Sequence, residues 1–511
     1  MREPAALDVL SRRGLIGAAG GALVLPEVAL AQPRRGGRIR VATLSSSVAD
    51  TLDPAKGALS TDYVRHYMLY SGLTQFDGRL TPRLALAESI ETRDRVLWRI
   101  RLRKGVQFHD GKTLTAADVV YSLMRHKNPL TGSKVKSVAE QIAEAKAVGT
   151  DEVLVRLVSP NADLPSILAI SQFLIVKDGT TDFRTAVGTG PYRLKLFKPG
   201  VRTIVTRNPT YWKAGRPYLD EIELIGIPDE VSRVNALLSG DVQLINAVNP
   251  RSTKRIGAST RHAILETRAG LFTNLAVRQD RPPTGNPDFT LAMKHLMDRE
   301  LIRRALFRGY ATVANDQPIA PTHPYYLPGL PQRAYDPEKA KFLLKRAGLL
   351  NVRLPLYASP AAEGSVDMAS ILQEAASKIG LRLAVNRVPA DGYWSTHWMK
   401  HPLTFGNTNP RPTADLMFSL FYKSDADWNE SGWRNARFDQ LLLAARAEAD
   451  EAKRKQMYGD MQVLVHEKGG VAIPVFISNL DAYDRRLKGF GTIPIGGLMG
   501  YSFAEYVWLE G

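Results

Sequence analysis

The residue types best suited to holding a small molecule gather between positions 393 and 428. Tyr393, Trp394 and Trp398 precede the polar stretch Asn407-Thr408-Asn409-Pro410-Arg411-Pro412-Thr413, with Asp415 and Trp428 beyond it. Three of the chain's seven tryptophans fall in this window. Amphipathic aromatics beside fixed polar groups suit the wall of a ligand pocket, and Arg411 and Asp415 are the nearest charges that could orient a solute. Packing is the competing reading for Trp394, Trp398 and above all Trp428.

Reactive chemistry is thin elsewhere. With no cysteine in 511 residues, disulfides, thiolate metal sites and cysteine nucleophiles are excluded. Gly105 and Gly111-Lys112-Thr113 superficially suggest a phosphate loop, but five residues separate the glycines where that loop needs four. His397 and His401 stand four apart without the intervening glutamate of a zinc protease, and Pro402 breaks the segment at once. No G-x-S-x-G occurs, and carboxylates are too numerous for an acid–base pair to be chosen from spacing. These observations point to a binding protein without cofactor or metal, not to an enzyme. A secreted hydrolase is the alternative, and it requires a convergent acid–base site.

The elements that must position such a pocket are of both kinds. Residues 97–108 read as a strand, because Leu97-Trp98-Arg99-Ile100-Arg101-Leu102 alternates apolar and basic side chains after Trp98. Thr115, three before Asp118, opens a helix in the manner of a capping box. Asp229 opens another that stops at Gly240. Asp336-Pro337 starts a third, with Leu343, Leu344 and Ala347 as its buried stripe and Gly348 as its stop. Residues 352–357, the helical pattern Met368, Ile371, Leu372, Ala375 and Ile379, and residues 381–385 form a βαβ unit, which implies a parallel pair in an α/β lobe. Helices dominate residues 438–466, followed by an apolar strand over 471–476.

A chain of 511 residues is too long for one ordinary core, so two or three lobes are expected. Apolar residues at 44% and charged residues at 23% are ordinary for a folded globular protein. The N-terminus carries Arg12-Arg13, a weakly apolar run over 14–25 and Ala29-Leu30-Ala31 before Gln32, which has the shape of a cleavable, twin-arginine-like export signal over 1–31. The mature chain is expected to start near Gln32 without a lipid anchor. The net charge of +17 is spread along the chain without a run of five or six, so a generally basic surface is read in preference to a nucleic-acid site.

Collinear motifs then suggest a family. Thr51-Leu52-Asp53-Pro54, Leu102-Arg103-Lys104-Gly105-Val106-Gln107-Phe108-His109-Asp110-Gly111, Asp118-Val119-Val120-Tyr121-Ser122-Leu123, Gly188-Thr189-Gly190-Pro191-Tyr192, Asn208-Pro209-Thr210-Tyr211-Trp212, Tyr335-Asp336-Pro337-Glu338-Lys339-Ala340 and Asn435-Ala436-Arg437-Phe438-Asp439 follow one another over nearly the whole mature chain. In order and spacing this resembles the oligopeptide/dipeptide-type (family 5) extracytoplasmic solute-binding proteins of ABC transporters. The resemblance implies an α/β, two-lobed periplasmic-binding-protein clamp (type II-like) with an extra inserted lobe. Lobe I would comprise 32–75, 188–270 and 487–511, the inserted lobe 76–187, and the second ligand-binding lobe 271–486. It also implies a monomer in the periplasm that delivers peptides or related solutes to an inner-membrane ABC permease, with no nucleic acid or ATP bound. Opines, amino sugars and metal chelates are the alternative solutes. Dipeptide-binding relatives carry an acidic residue for the ligand's amine near this loop; here Asn407, Thr408 and Asn409 occupy the neighbourhood. The expected ligand contacts are Tyr393, Trp394, Trp398, Asn407, Asn409, Arg411 and Asp415.

Overall fold

Local punctuation decides where the helices begin. Asp336 accepts from the Lys339 N–H ahead of helix Pro337–Arg346, and Asp229 accepts from the Ser232 N–H ahead of Glu230–Ser239, which stops at Gly240 in the left-handed region. Thr115 and Asp118 close the expected capping box on Ala116–Met124. These details come from a computed structural model that describes residues 32–45 and 47–510. The export segment expected over 1–31 lies outside the described residues.

A sheet of twelve strands runs through the molecule. At one end Arg38–Thr43 pairs in parallel with Glu221–Gly226 and Leu244–Ile245, while Arg202–Arg207 and Tyr192–Lys198 extend the edge. At the other end Arg353–Ala358 and Arg382–Arg387 form the expected parallel pair around helix Ser365–Ser377, next to Leu403–Thr408. Two long strands join the halves. His262–Val277 pairs through residues 262–268 and 271–272 with Val475–Asp484, and through residues 272–277 with Leu403–Thr408. The register shifts between Arg268 and Leu271, so Ala269 and Gly270 form a bulge where the chain crosses.

The expected strand over 471–476 is longer and broken. Pro474 has no N–H to offer the ladder, so Val471–Ala472 ends before it, and Val475–Asp484 then runs back into the first half. Leu480 and Ala482 pack there with Val234 and Ile256, so the return crossing falls near Ile477 and Ser478, before residue 486. Similarly, the strand read over 97–108 ends at Leu102, where the chain turns away.

Separate apolar cores lie on either side of the crossing. Ile39, Val41, Tyr192 and Leu224 pack with Leu498, Phe503 and Val507, joining the two ends of the chain. A four-stranded antiparallel sheet of Ala87–Thr92, Leu97–Leu102, Glu152–Leu157 and Ile142–Val148 has its own core around Trp98, Ile100, Phe108 and Val155. Beyond the bulge, Leu275, Met293, Leu344, Leu356, Leu372 and Phe405 form a third, with Phe272, Phe418, Phe438 and Tyr458 on the other face of the same strands. Gly188 and Gly190 explain their motif by close approach: a Cβ at Gly188 would lie 2.0 Å from the Leu69 carbonyl oxygen, and one at Gly190 2.3 Å from the Leu69 carbonyl carbon.

Candidate functional site

Arg411 sits on a stiff loop between strand Leu403–Thr408 and helix Ala414–Phe421, flanked by Pro410 and Pro412. Thr413 caps the helix by accepting from the Leu416 N–H, which fixes the loop's exit. The guanidinium lies 5.5 Å from the Phe421 ring centroid, and its Nε is buried without a hydrogen-bond partner. No carboxylate pairs with it among the described residues. Burial lowers its pKa from the usual arginine value, while the phenols of Tyr63 and Tyr501 act the other way. Withdrawing part of a cation from water without a counter-charge is unfavourable, and sites shaped for an anionic ligand are where that cost is tolerated.

Tyr63 and Tyr501 come from the first half of the molecule and meet edge to face at 5.3 Å. Helix Ser60–Leu69 carries Tyr63, whose hydroxyl accepts from Gln172 Nε2 at 3.2 Å and donates to the Ala58 carbonyl. Tyr501 is delivered by a left-handed turn in which Leu498, Met499, Gly500 and Tyr501 have φ of 52°, 57°, 60° and 74°. Each non-glycine residue there costs on the order of 1–2 kcal/mol, a strain that persists because the surroundings dictate it. Asp481 is one such surrounding group. Its buried carboxylate accepts from the Leu498 N–H at 2.5 Å, and its second oxygen has no partner. Burial pushes this carboxyl up to about 7.

Beside Arg411 is a narrow recess of about 20 Å³, lined by Leu80 and Pro494 on one side, Gly270 at the bulge, and Ala320, His323, Pro410, Arg411 and Met417 on the other. It is mostly apolar around one cation, the balance expected of a small-molecule site. Another recess, about 40 Å³, lies beside Tyr67, Gln75 and Glu505. Glu505 there is already paired with Lys213 at 2.6 Å and Arg216 at 3.0 Å, so it presents no free charge.

The other expected contacts disperse. Tyr393 is fully buried, its hydroxyl donating to the Phe405 carbonyl and accepting from the Phe405 N–H, so it belongs to the third core and not to a wall. Trp394, 41% exposed, meets Trp398 edge to face, and Trp398 packs against that core. Asn407 donates to Thr273 Oγ1 across the strand pair, and Asn409 is exposed. Asp415 is buried and accepts from Arg446 Nε at 3.0 Å, so its charge is already neutralised inside the protein. Trp428 packs against Phe421. Sequence reasoning missed Tyr63, Tyr501 and Asp481, which lie far from the aromatic window and carry no local signal.

Two cored halves, crossed by two strands and facing each other over a recess, define a clamp-type binding protein. Residues 81–430 match the bacterial extracellular solute-binding proteins, family 5 Middle, and the chain belongs to that family. The glutathione-binding protein GsiB of Pectobacterium atrosepticum is 26% identical over 473 residues, covering 88% of this chain and 90% of the relative. In fold, the chain is similar to the periplasmic binding protein DppA of Helicobacter pylori in complex with the peptide STSA, at a TM-score of 0.79 and 22% identity over 94% of this chain and 99% of the other. AgaA of A. tumefacien R10, in complex with agropinic acid, matches with a TM-score of 0.76 and 24% identity over 93% and 99%. The architecture is thus the expected α/β two-lobed periplasmic-binding-protein clamp. No described helix is long and apolar enough to cross a membrane.

Proposed function

We propose that this protein captures a small carboxylate-bearing solute, a peptide or a related molecule, between its two halves in the periplasm and delivers it to an inner-membrane ABC permease. The observation that carries the reading is Arg411, a half-buried guanidinium with a buried, unpartnered Nε and no carboxylate partner among the described residues, at a recess lined from both halves. A carboxylate there would accept from the planar guanidinium fork and receive further donation from a nearby phenol. The relatives are named for glutathione, a peptide and agropinic acid, and each of those solutes carries a carboxylate.

Closure follows from differential contact. A solute that touches Arg411 on one side and Tyr63 or Tyr501 on the other gains its full binding energy only when the halves meet, so it biases the closed arrangement. The bulge at Ala269 and Gly270 places the irregular point of the crossing strand beside the recess. An opine or another non-peptide acid would use the same cation.

The reading is tested by mass spectrometry of the small molecule released from mature protein purified under mild conditions. A stoichiometric solute with at least one carboxylate is expected. A stoichiometric solute without an acidic group would overturn the assignment of Arg411.

A further inference from the structure

Away from the recess, the inserted four-stranded body touches the second half directly. The Ala162 N–H donates to the Arg446 carbonyl at 3.0 Å, and Asp163 lies 2.7 Å from Arg454. Asp163 ends the segment that follows strand Glu152–Leu157, and Arg454 belongs to helix Glu451–Lys468, so the pair bridges separately cored bodies. Both side chains are almost fully buried, at 7% and 5% exposure.

Each partner is held before they meet. The Asp163 N–H donates to Asn161 Oδ1, whose amide in turn donates to Gln141. Arg454 lies over the Tyr325 and Tyr458 rings at 5.1 and 5.4 Å, and donates to the Ala445 carbonyl and the Tyr325 hydroxyl. Long exposed ion pairs lose most of their Coulomb gain to side-chain ordering and solvent; a preordered, buried pair does not. The neighbouring charges also balance only in contact. Arg446 is matched by Asp415 within its own half, and Arg454 finds its carboxylate in Asp163 across the gap.

We infer that Asp163 and Arg454 are positioning residues that set solute affinity by favouring the closed arrangement without touching the solute. This rests on the clamp reading above, but its test needs no solute. Because the chain has no cysteine, Val158→Cys and Leu443→Cys, both at exposed positions flanking the contact, can be spin-labelled specifically. Pulsed electron spin resonance on the solute-free protein should then show a short-distance population corresponding to the contact. Asp163→Asn, with Asp163→Ala as a second variant, should reduce that population at least tenfold relative to the open one while the melting temperature changes little. A purely structural role would lower the melting temperature and leave the distances in the folded fraction alone. Absence of the short population in the parent, or its persistence in both variants, overturns the proposal. The proposed function would survive that outcome, since the identity of the released solute and its dependence on Arg411 are read independently.

Discussion

Replacing Arg411 with alanine is expected to weaken binding of the carboxylate-bearing solute by about 2–5 kcal/mol, roughly thirty-fold to several-thousand-fold. The range is that of removing one partner of a buried, hydrogen-bonded charge pair. Arg411→Lys should recover only part of the loss, because an ammonium keeps the charge but not the planar fork. Solute-free Arg411→Ala protein, by contrast, should melt no lower than the parent, since the substitution removes a half-buried cation that lacks a counter-charge. That combination, lost affinity with preserved stability, separates a ligand contact from a packing residue. Calorimetry with the released solute and an uncharged amide analogue reads it out: the analogue should be nearly indifferent to the substitution. Equal affinities of parent and variant for the acid would remove Arg411 from the site.

A second large effect is expected at Asp481. Its carboxyl ionises at about 7 in the folded protein, against about 3.9 in an unfolded chain. Between those values the folded state holds a proton that the unfolded state has released, so stability falls as pH rises through that window. Below about pH 4 the penalty is absent, and above about 7 it is complete and constant. With a window about three pH units wide, the penalty reaches on the order of 4 kcal/mol. Asp481→Asn keeps an acceptor for the Leu498 N–H and cannot ionise, so it should be more stable than the parent at pH 8 and level with it near pH 4. Comparing the two proteins at each pH cancels the titration of the buried histidines, four of which have pKa values lowered to about 4 by burial. Melting curves that run parallel from pH 4 to 8 would show that Asp481 does not carry this penalty.

Much of the scaffold was legible because its signals are local. Asp336 with Pro337, Thr115 with Asp118, and Asp229 with Gly240 each specify a helix boundary within a few residues, and the structure places those boundaries there. The parallel pair Arg353–Ala358 and Arg382–Arg387 follows from a periodicity that changes from two to helical and back. The long crossing strands were not legible as such. Their residues alternate between two cores and a crossing, so no single period runs through His262–Val277.

The site was legible only in part, for a related reason. The window from 393 to 428 looks like one cluster in sequence, yet strand Leu403–Thr408 and helix Ala414–Phe421 send its members to different places. Tyr393 enters a core, Asp415 meets Arg446, and Arg411 reaches the recess. Its counterparts Tyr63 and Tyr501 are hundreds of residues apart along the chain, and the turn carrying Tyr501 is left-handed at residues whose types give no hint of it. Contacts between distant segments leave no trace in local periodicity.

The most direct test of a clamp that closes on its solute is small-angle scattering on mature protein without solute and saturated with the released solute. The account predicts a smaller radius of gyration on binding, accompanied by a melting temperature that rises with solute concentration as mass action requires. A solute that raises the melting temperature while leaving the radius of gyration unchanged would contradict closure.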